Sequence, residues 1–254
     1  MKNYYKITNL TVLMDTFGRT AAQAAPYLYE PEKRKLDIAP QAQKAEEAMR
    51  ADIVIQSRWQ ALQEQQPHLS DEDCEYLSTG SSFYRQLLQF DGMMLHASAV
   101  VLDDRAYLFS APSGTGKSTH TQLWLKEFGE RAYILNDDKP ALRREGGKWY
   151  AYGTPWSGKF DISRNERVPL AGICYLQRAE KNEIRPMQGQ RAVHHLLEQT
   201  VRPAQAALSG KLLTLLDQLL REVPVWEMDC NNMEPGAALV SHAAMKERTK
   251  SHEN

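Results

Sequence analysis

Residues 110–124 read SAPSGTGKSTHTQLW and bring two glycines, Gly114 and Gly116, directly up to a lysine and a hydroxyl, Lys117 and Ser118. Backbone N–H groups in such a run can turn inward and hold an anion where the next helix begins, and glycines permit the positive φ that the turn needs. The candidate phosphate-binding residues are Ser113, Gly114, Thr115, Gly116, Lys117, Ser118 and Thr119. The ammonium of Lys117 suits the outer phosphates of a nucleotide, and the Ser118 hydroxyl suits a magnesium ion. The usual P-loop pattern is G-x-x-x-x-G-K-[ST]. Here Ala111 takes the first position, a replacement that fits if its φ is negative.

A phosphate loop needs a carboxylate to position the metal. The next apolar run, ILNDDKP, ends in Asp137 and Asp138. Neighbouring residues of a strand point to opposite sides, so one carboxylate can serve the metal and the other can take a proton from an attacking hydroxyl. His96, inside MMLHASAVV, is either a core histidine or a partner that orients an aspartate or a phosphate. Lys159 and Arg164 lie in the turn-rich stretch 152–169 and are candidates to stabilise charge on a transferred phosphoryl group. His194 and His195 are adjacent on a helix, share no face and read as surface. Cys74, Cys174 and Cys230 form neither a disulfide framework nor a zinc motif.

The elements that must position these residues follow from hydrophobic patterning. Residues 5–14 read as one or two strands, RKLDIAP as another, and 41–65 as a mostly exposed helix. Ser70 is a candidate N-cap for one helix, or two parted near Gly80. A hairpin follows, with strands at 94–101 and 106–110, and feeds the loop. A helix then runs to Gly129, RAYILN is a strand, and a second hairpin turns on Gly146–Gly147. A buried strand is expected at 170–177, helices at 189–201, 204–222 and 234–247, and a short strand in VPVWEM. The predicted organisation is an amino-terminal α/β segment, 1–90, packed on a core spanning 91–254.

With 254 residues, a net charge of -1 and 25% charged residues, the chain has the profile of a globular protein. It carries no basic excess for nucleic acid or membranes, no signal-peptide pattern and no apolar run of spanning length, so a cytoplasmic protein is expected.

Together, LHASAVVLDDRAYLFSAPSGTGKST and ILNDDKPALRREGGKWYAY resemble the catalytic domain of HPr kinase/phosphorylase and, more distantly, ATP-dependent phosphoenolpyruvate carboxykinase. The resemblance covers roughly residues 92–152. It implies an α/β fold: a P-loop-containing mixed-sheet core with helices packed around it. It also implies ATP and Mg2+ as cofactors, a serine hydroxyl of a protein or peptide as acceptor, and a homo-oligomer. Residue by residue, Lys117 would contact the phosphates, Ser118 and Asp138 the metal, Asp137 would be the base, and His96 would support the acidic pair. The chain departs from the family at Ala111, in lacking the glycine-rich signature after the hairpin, and in its first 90 residues, so neither HPr itself nor reverse phosphorolysis is implied. A non-catalytic nucleotide-binding regulatory module and a small-molecule kinase are the alternatives to a peptide or protein kinase.

Overall fold

The computed structural model describes residues 2–30, 51–234 and 236–251. The amino-terminal apolar run folds as two strands, β1 (Lys2–Ile7) and β2 (Leu10–Asp15), paired antiparallel across a turn at Thr8 and Asn9, both at positive φ. A short helix, α1 (Gly18–Ala24), follows, and β3 (Ile53–Ile55) adds parallel to β2. The expected helix over 41–65 is thereby corrected. Its first part and the RKLDIAP strand lie outside the described residues. In the remainder, β3 comes first and only α2 (Trp59–Gln65) is helical. Ile53 and Ile55 alternate inward and are buried, so packing on the strand face overrides helix propensity.

Helix α3 (Asp71–Leu87) is continuous through Gly80. Ser70 caps it by accepting from the Asp73 N–H at 3.1 Å, and Asp71, Glu72 and Asp73 complement the dipole of its first turn. Gly80 is needed for contact: a Cβ there would sit 2.9 Å from Cδ1 of Trp156.

The larger sheet has nine strands. It takes in β4 (Gly92–Met94), β5 (Ala97–Leu102), β6 (Arg105–Ser110) and, after α4 (Lys117–Phe128), β7 (Ala132–Asn136). The hairpin of β8 (Ala141–Glu145) and β9 (Lys148–Tyr152) leads to β10 (Arg167–Arg178). Beyond it come β11 (Glu183–Pro186), α5 (Gly189–Glu198), α6 (Ala206–Glu222), β12 (Val225–Cys230) and α7 (Ala237–Ser251). The order is β4-β8-β9-β10-β6-β5-β7, with β12 on β10 and β11 on β12. Strand β10 starts antiparallel to β9 and continues parallel to both β6 and β12, so the sheet is mixed.

Both faces are covered because these strands alternate apolar residues to either side. Ala99, Val101, Ala106 and Leu108 pack toward Leu212, Leu215 and Leu219 of α6. Val100, Leu102, Tyr107 and Phe109 pack toward Trp124 of α4 and Met245 of α7. A third apolar cluster joins the amino-terminal sheet and α3 to Met94, Tyr152 and Trp156 of the larger unit. No helix of the described residues is long and apolar enough to cross a membrane.

Two differences from expectation matter for the site. The strand expected from residue 94 begins at Ala97, because Leu95 and His96 leave the ladder. The N–H of Leu95 donates to Pro140 O at 3.3 Å and that of His96 to Gln199 O at 2.7 Å. The other difference is β11, a polar edge strand fastened by Arg185, which binds Glu227 at 2.6 Å and Asp229 at 2.7 Å.

Candidate functional site

The glycine-containing loop runs from β6 into α4. Gly114 has φ +76 and Gly116 φ +116, so both need the backbone freedom of glycine. No side chain caps α4 and no acid lies in its first turn. Its leading N–H groups are thus left to an anion at the positive end of a twelve-residue helix. Ala111 satisfies the condition set by its sequence position: it is not among the residues at positive φ, and its methyl is fully buried in the cluster around Trp124.

A largely buried network holds the loop from behind. Asn232 donates to Gly116 O at 3.0 Å, and its Oδ1 lies 3.0 Å from both His120 Nδ1 and Cys230 Sγ. His120 Nε2 reaches Ser241 Oγ at 3.0 Å, and Trp124 Nε1 donates to the same oxygen at 3.0 Å. Burial drives the His120 imidazole down to about 4, against the pull of its bond to Asn232, so it is neutral near pH 7. From the open side, Arg178 donates to the carbonyls of Gly114 and Thr115.

The aspartates are set by Asn136 at the end of β7. Its side-chain oxygen accepts from the N–H of Asp138 at 3.1 Å and of Lys139 at 2.8 Å, an Asx turn, while its amide donates to Thr154 O at 3.0 Å. The turn separates the two carboxylates. Asp137 Oδ1 accepts from Ser98 Oγ at 2.6 Å, and Ser98 reaches Thr121 of α4 at 2.9 Å. Asp138 Oδ1 lies 3.3 Å from His96 Nε2, and its other oxygen is ion-paired with Lys139. Burial alone would raise the Asp138 pKa, but His96 and Lys139 outweigh it and hold the carboxyl at about 2. His96 Nδ1 is 3.0 Å from Gln199 Oε1, which fixes the ring.

Ser113, Gly114, Gly116, Lys117, Ser118, Thr119, His96, Asp137 and Asp138 all line one cavity of about 720 Å³. Thr115 does not line it; its carbonyl accepts from Arg178. Lys117 points its ammonium at Ala111 O, 3.1 Å away. Burial lowers its pKa, and the two aspartates partly restore it. Lys159 lines the same cavity. Arg164 does not: its guanidinium lies 4.1 Å over the ring of Tyr133, which removes it as a candidate. His195 is corrected from surface to half-buried, stacked on Tyr175 at 4.0 Å and away from the cavity.

Residues that the sequence did not single out complete the walls. Lys139 stands next to the aspartates. Arg19 from α1 and Tyr76 from α3 stack on each other at 4.1 Å, and both grip the segment around Gly158. Arg19 donates to Gly158 O at 2.8 Å, and the Gly158 N–H donates to the Tyr76 hydroxyl at 3.0 Å. Gly158 has φ +80, and a Cβ there would lie 2.9 Å from the Asp138 Cβ, so this glycine lets the segment close over the carboxylate.

A family model described as "SynChlorMet cassette protein ScmC" matches residues 67–225, more than half of the chain. The chain belongs to the ScmC family. The ScmC match takes in α3, His96, the loop, both aspartates and Lys139, and leaves out Arg19 and Asn232. Among curated proteins none matches. Among solved structures, the chain is similar to the HPr(Ser) kinase/phosphatase from Coxiella burnetii, with a TM-score of 0.37 and 14% identity over 62% of this chain and 97% of that one.

Proposed function

We propose that this ScmC-family chain is an ATP- and magnesium-dependent kinase that transfers the γ-phosphoryl group to a hydroxyl, serine of a peptide or protein being the preferred acceptor. The observation that carries the reading is that an uncapped, glycine-shaped helix N-terminus and two differently held carboxylates face one cavity. Among the described residues no cluster of three or more His, Cys, Asp or Glu could hold a metal by itself. The donor set is one hydroxyl and a carboxylate, which fits magnesium, an ion that shares its sphere with water and substrate phosphates. When bound, that ion with the triphosphate supplies the phosphoryl group and neutralises its charge.

The chain's own groups divide the remaining work. The α4 N-terminus and Lys117 hold the phosphates in register. Asp137, linked through Ser98 and Thr121 to the first turns of α4, stands with Ser118 on the metal side. Asp138, aimed by His96 and Lys139, is on the acceptor side. It stays ionised at neutral pH and orients the incoming O–H, taking its proton late in a loose transition state. These surroundings support exchanging the two aspartate roles that the family resemblance implied. Lys159, which lines the same cavity, would meet charge on the transferred group.

The test follows the γ-phosphate of labelled ATP onto serine peptides and host-cell proteins with magnesium present. The expected result is label that disappears in Lys117→Ala and Asp138→Asn, with Asp138→Asn still binding nucleotide. Tight nucleotide binding without Lys117-dependent transfer to any acceptor would sink the kinase and leave a regulatory nucleotide-binding module.

A further inference from the structure

Behind Lys139 a second hollow of about 120 Å³ opens next to the large cavity and shares Tyr76, Leu77 and Lys139 with it. Its deeper walls are Tyr84, Trp156, Met94 and Val201. We infer that this hollow is a specificity subsite that takes one aliphatic or aromatic side chain of the acceptor peptide, close in sequence to the phosphorylated serine. The inference rests on the kinase reading above.

The chemistry of the walls selects an apolar guest. The polar tips of both aromatic residues are already engaged: Trp156 Nε1 donates to Thr79 at 3.2 Å, and the Tyr84 hydroxyl donates to Lys139 O at 2.6 Å. The rings therefore offer carbon, not hydrogen bonds, to whatever enters. The Lys139 ammonium at the mouth is paired with Asp138, so no uncommitted charge there attracts an acid. Tyr84 and Trp156 are buried, and Leu77, 41% exposed, forms an apolar lip toward solvent. An apolar protein cavity of roughly 150 Å³ accepts a benzene-sized molecule, so this hollow suits one side chain of about leucine size.

Position assigns the guest to the acceptor and not to the nucleotide. In an in-line transfer the leaving group and the acceptor lie on opposite sides of the phosphoryl group. The hollow contains none of the loop residues 113–119 and is lined by Lys139, the residue after Asp138 and its ion-pair partner. It therefore joins the large cavity at Tyr76, Leu77 and Lys139, the wall that carries the ion-pair partner of Asp138, and not at the loop.

The experiment uses the full chain, magnesium, γ-labelled ATP and an array of synthetic peptides with a single serine and every other position varied in turn. Wild type is expected to favour Leu, Ile, Met or Phe over Gly, Asp or Lys at one fixed distance from the serine, by tenfold or more. Val201→Trp, which fills the hollow from one wall, should abolish that preference while labelling of an all-polar serine peptide and affinity for a fluorescent ATP analogue stay unchanged. Ser81→Phe fills it from the helix side and serves if Val201→Trp does not fold. Peptide label without an apolar preference, or a preference that both fillings leave intact, would overturn the subsite and leave the kinase standing. Loss of ATP-analogue affinity on filling would assign the hollow to the nucleotide and overturn it too. Absence of Lys117-dependent label on every peptide would overturn the subsite, and absence on host-cell proteins as well would overturn the kinase with it.

Discussion

The two walls of the cavity are built differently. The loop wall is backed by polar groups that are matched: the buried His120, Cys230, Ser241 and Trp124 and the half-buried Asn232 bond to one another, and Asn232 to the Gly116 carbonyl. The opposite wall, from α1 and α3, is less resolved in its bonding. Glu75 is 1% exposed, and its oxygens, like Thr20 Oγ1 and Gln23 Oε1, make no hydrogen bond of good geometry; Thr20 and the Phe17 backbone approach the carboxyl only loosely. Unmatched buried polar groups cost stability, whereas a completed network rigidifies. One side is thus fixed by its own bonding and the other less so, which on the proposed reading would suit a constant nucleotide and a variable acceptor.

The sharpest break in this comparison is at the loop. Lys117→Ala should lower transfer by about 10²–10³-fold with little change in melting temperature, measured as labelled product per enzyme and by thermal melt. Asn232→Ala should come next. It releases the Gly116 carbonyl and orphans buried atoms of His120 and Cys230, at about 1–3 kcal/mol of stability and roughly tenfold in nucleotide affinity by titration. If that affinity is unchanged, the network does not hold the loop.

The opposite wall should respond with the reverse sign. Burial raises the Glu75 pKa to about 7, with Thr20 and the Phe17 backbone only partly offsetting it. The unfolded chain loses this proton near its ordinary value of 4.5, so stability falls as pH rises from about 4.5 to 7 and is flat beyond. Glu75→Gln should remove that slope and add roughly 2–3 kcal/mol at pH 7.5, read as urea midpoints across pH. A slope that survives the substitution would place its origin elsewhere. The smallest effect belongs to Ser70→Ala, which removes the α3 cap and should cost about 1 kcal/mol without altering transfer.

Legibility in the sequence divided along the same line. The loop, the Asp137–Asp138 pair and the hairpin into the loop are local patterns, and β5, α4 and β7 lie close to their expected places. His96 was legible as a residue, but its exit from the ladder was not, because it depends on Gln199 from a distant helix end. Arg19 and Tyr76 carried no signal, and Gly158 only that of lying in the turn-rich stretch 152–169: the three meet only when the amino-terminal layer docks. Asn136 did carry one, since an asparagine directly before Asp-Asp-Lys-Pro is an Asx-turn candidate. Strand β11 was illegible because it is four residues long and polar, and its pairing is decided by Arg185 across an edge.

Strand β10 has a consequence for the order in which the molecule comes into being. It is flanked by β6, far upstream, and β12, far downstream, and the residue that seats the loop, Asn232, follows directly after β12. During synthesis the loop, the aspartates and their wall leave the ribosome well before position 232. Pairings over such sequence distances close late because loop-closure entropy must be overcome first. The nascent chain therefore carries the loop and both carboxylates while the loop still lacks its back support, and on the proposed reading nucleotide binding would arrive only once the last strand has docked.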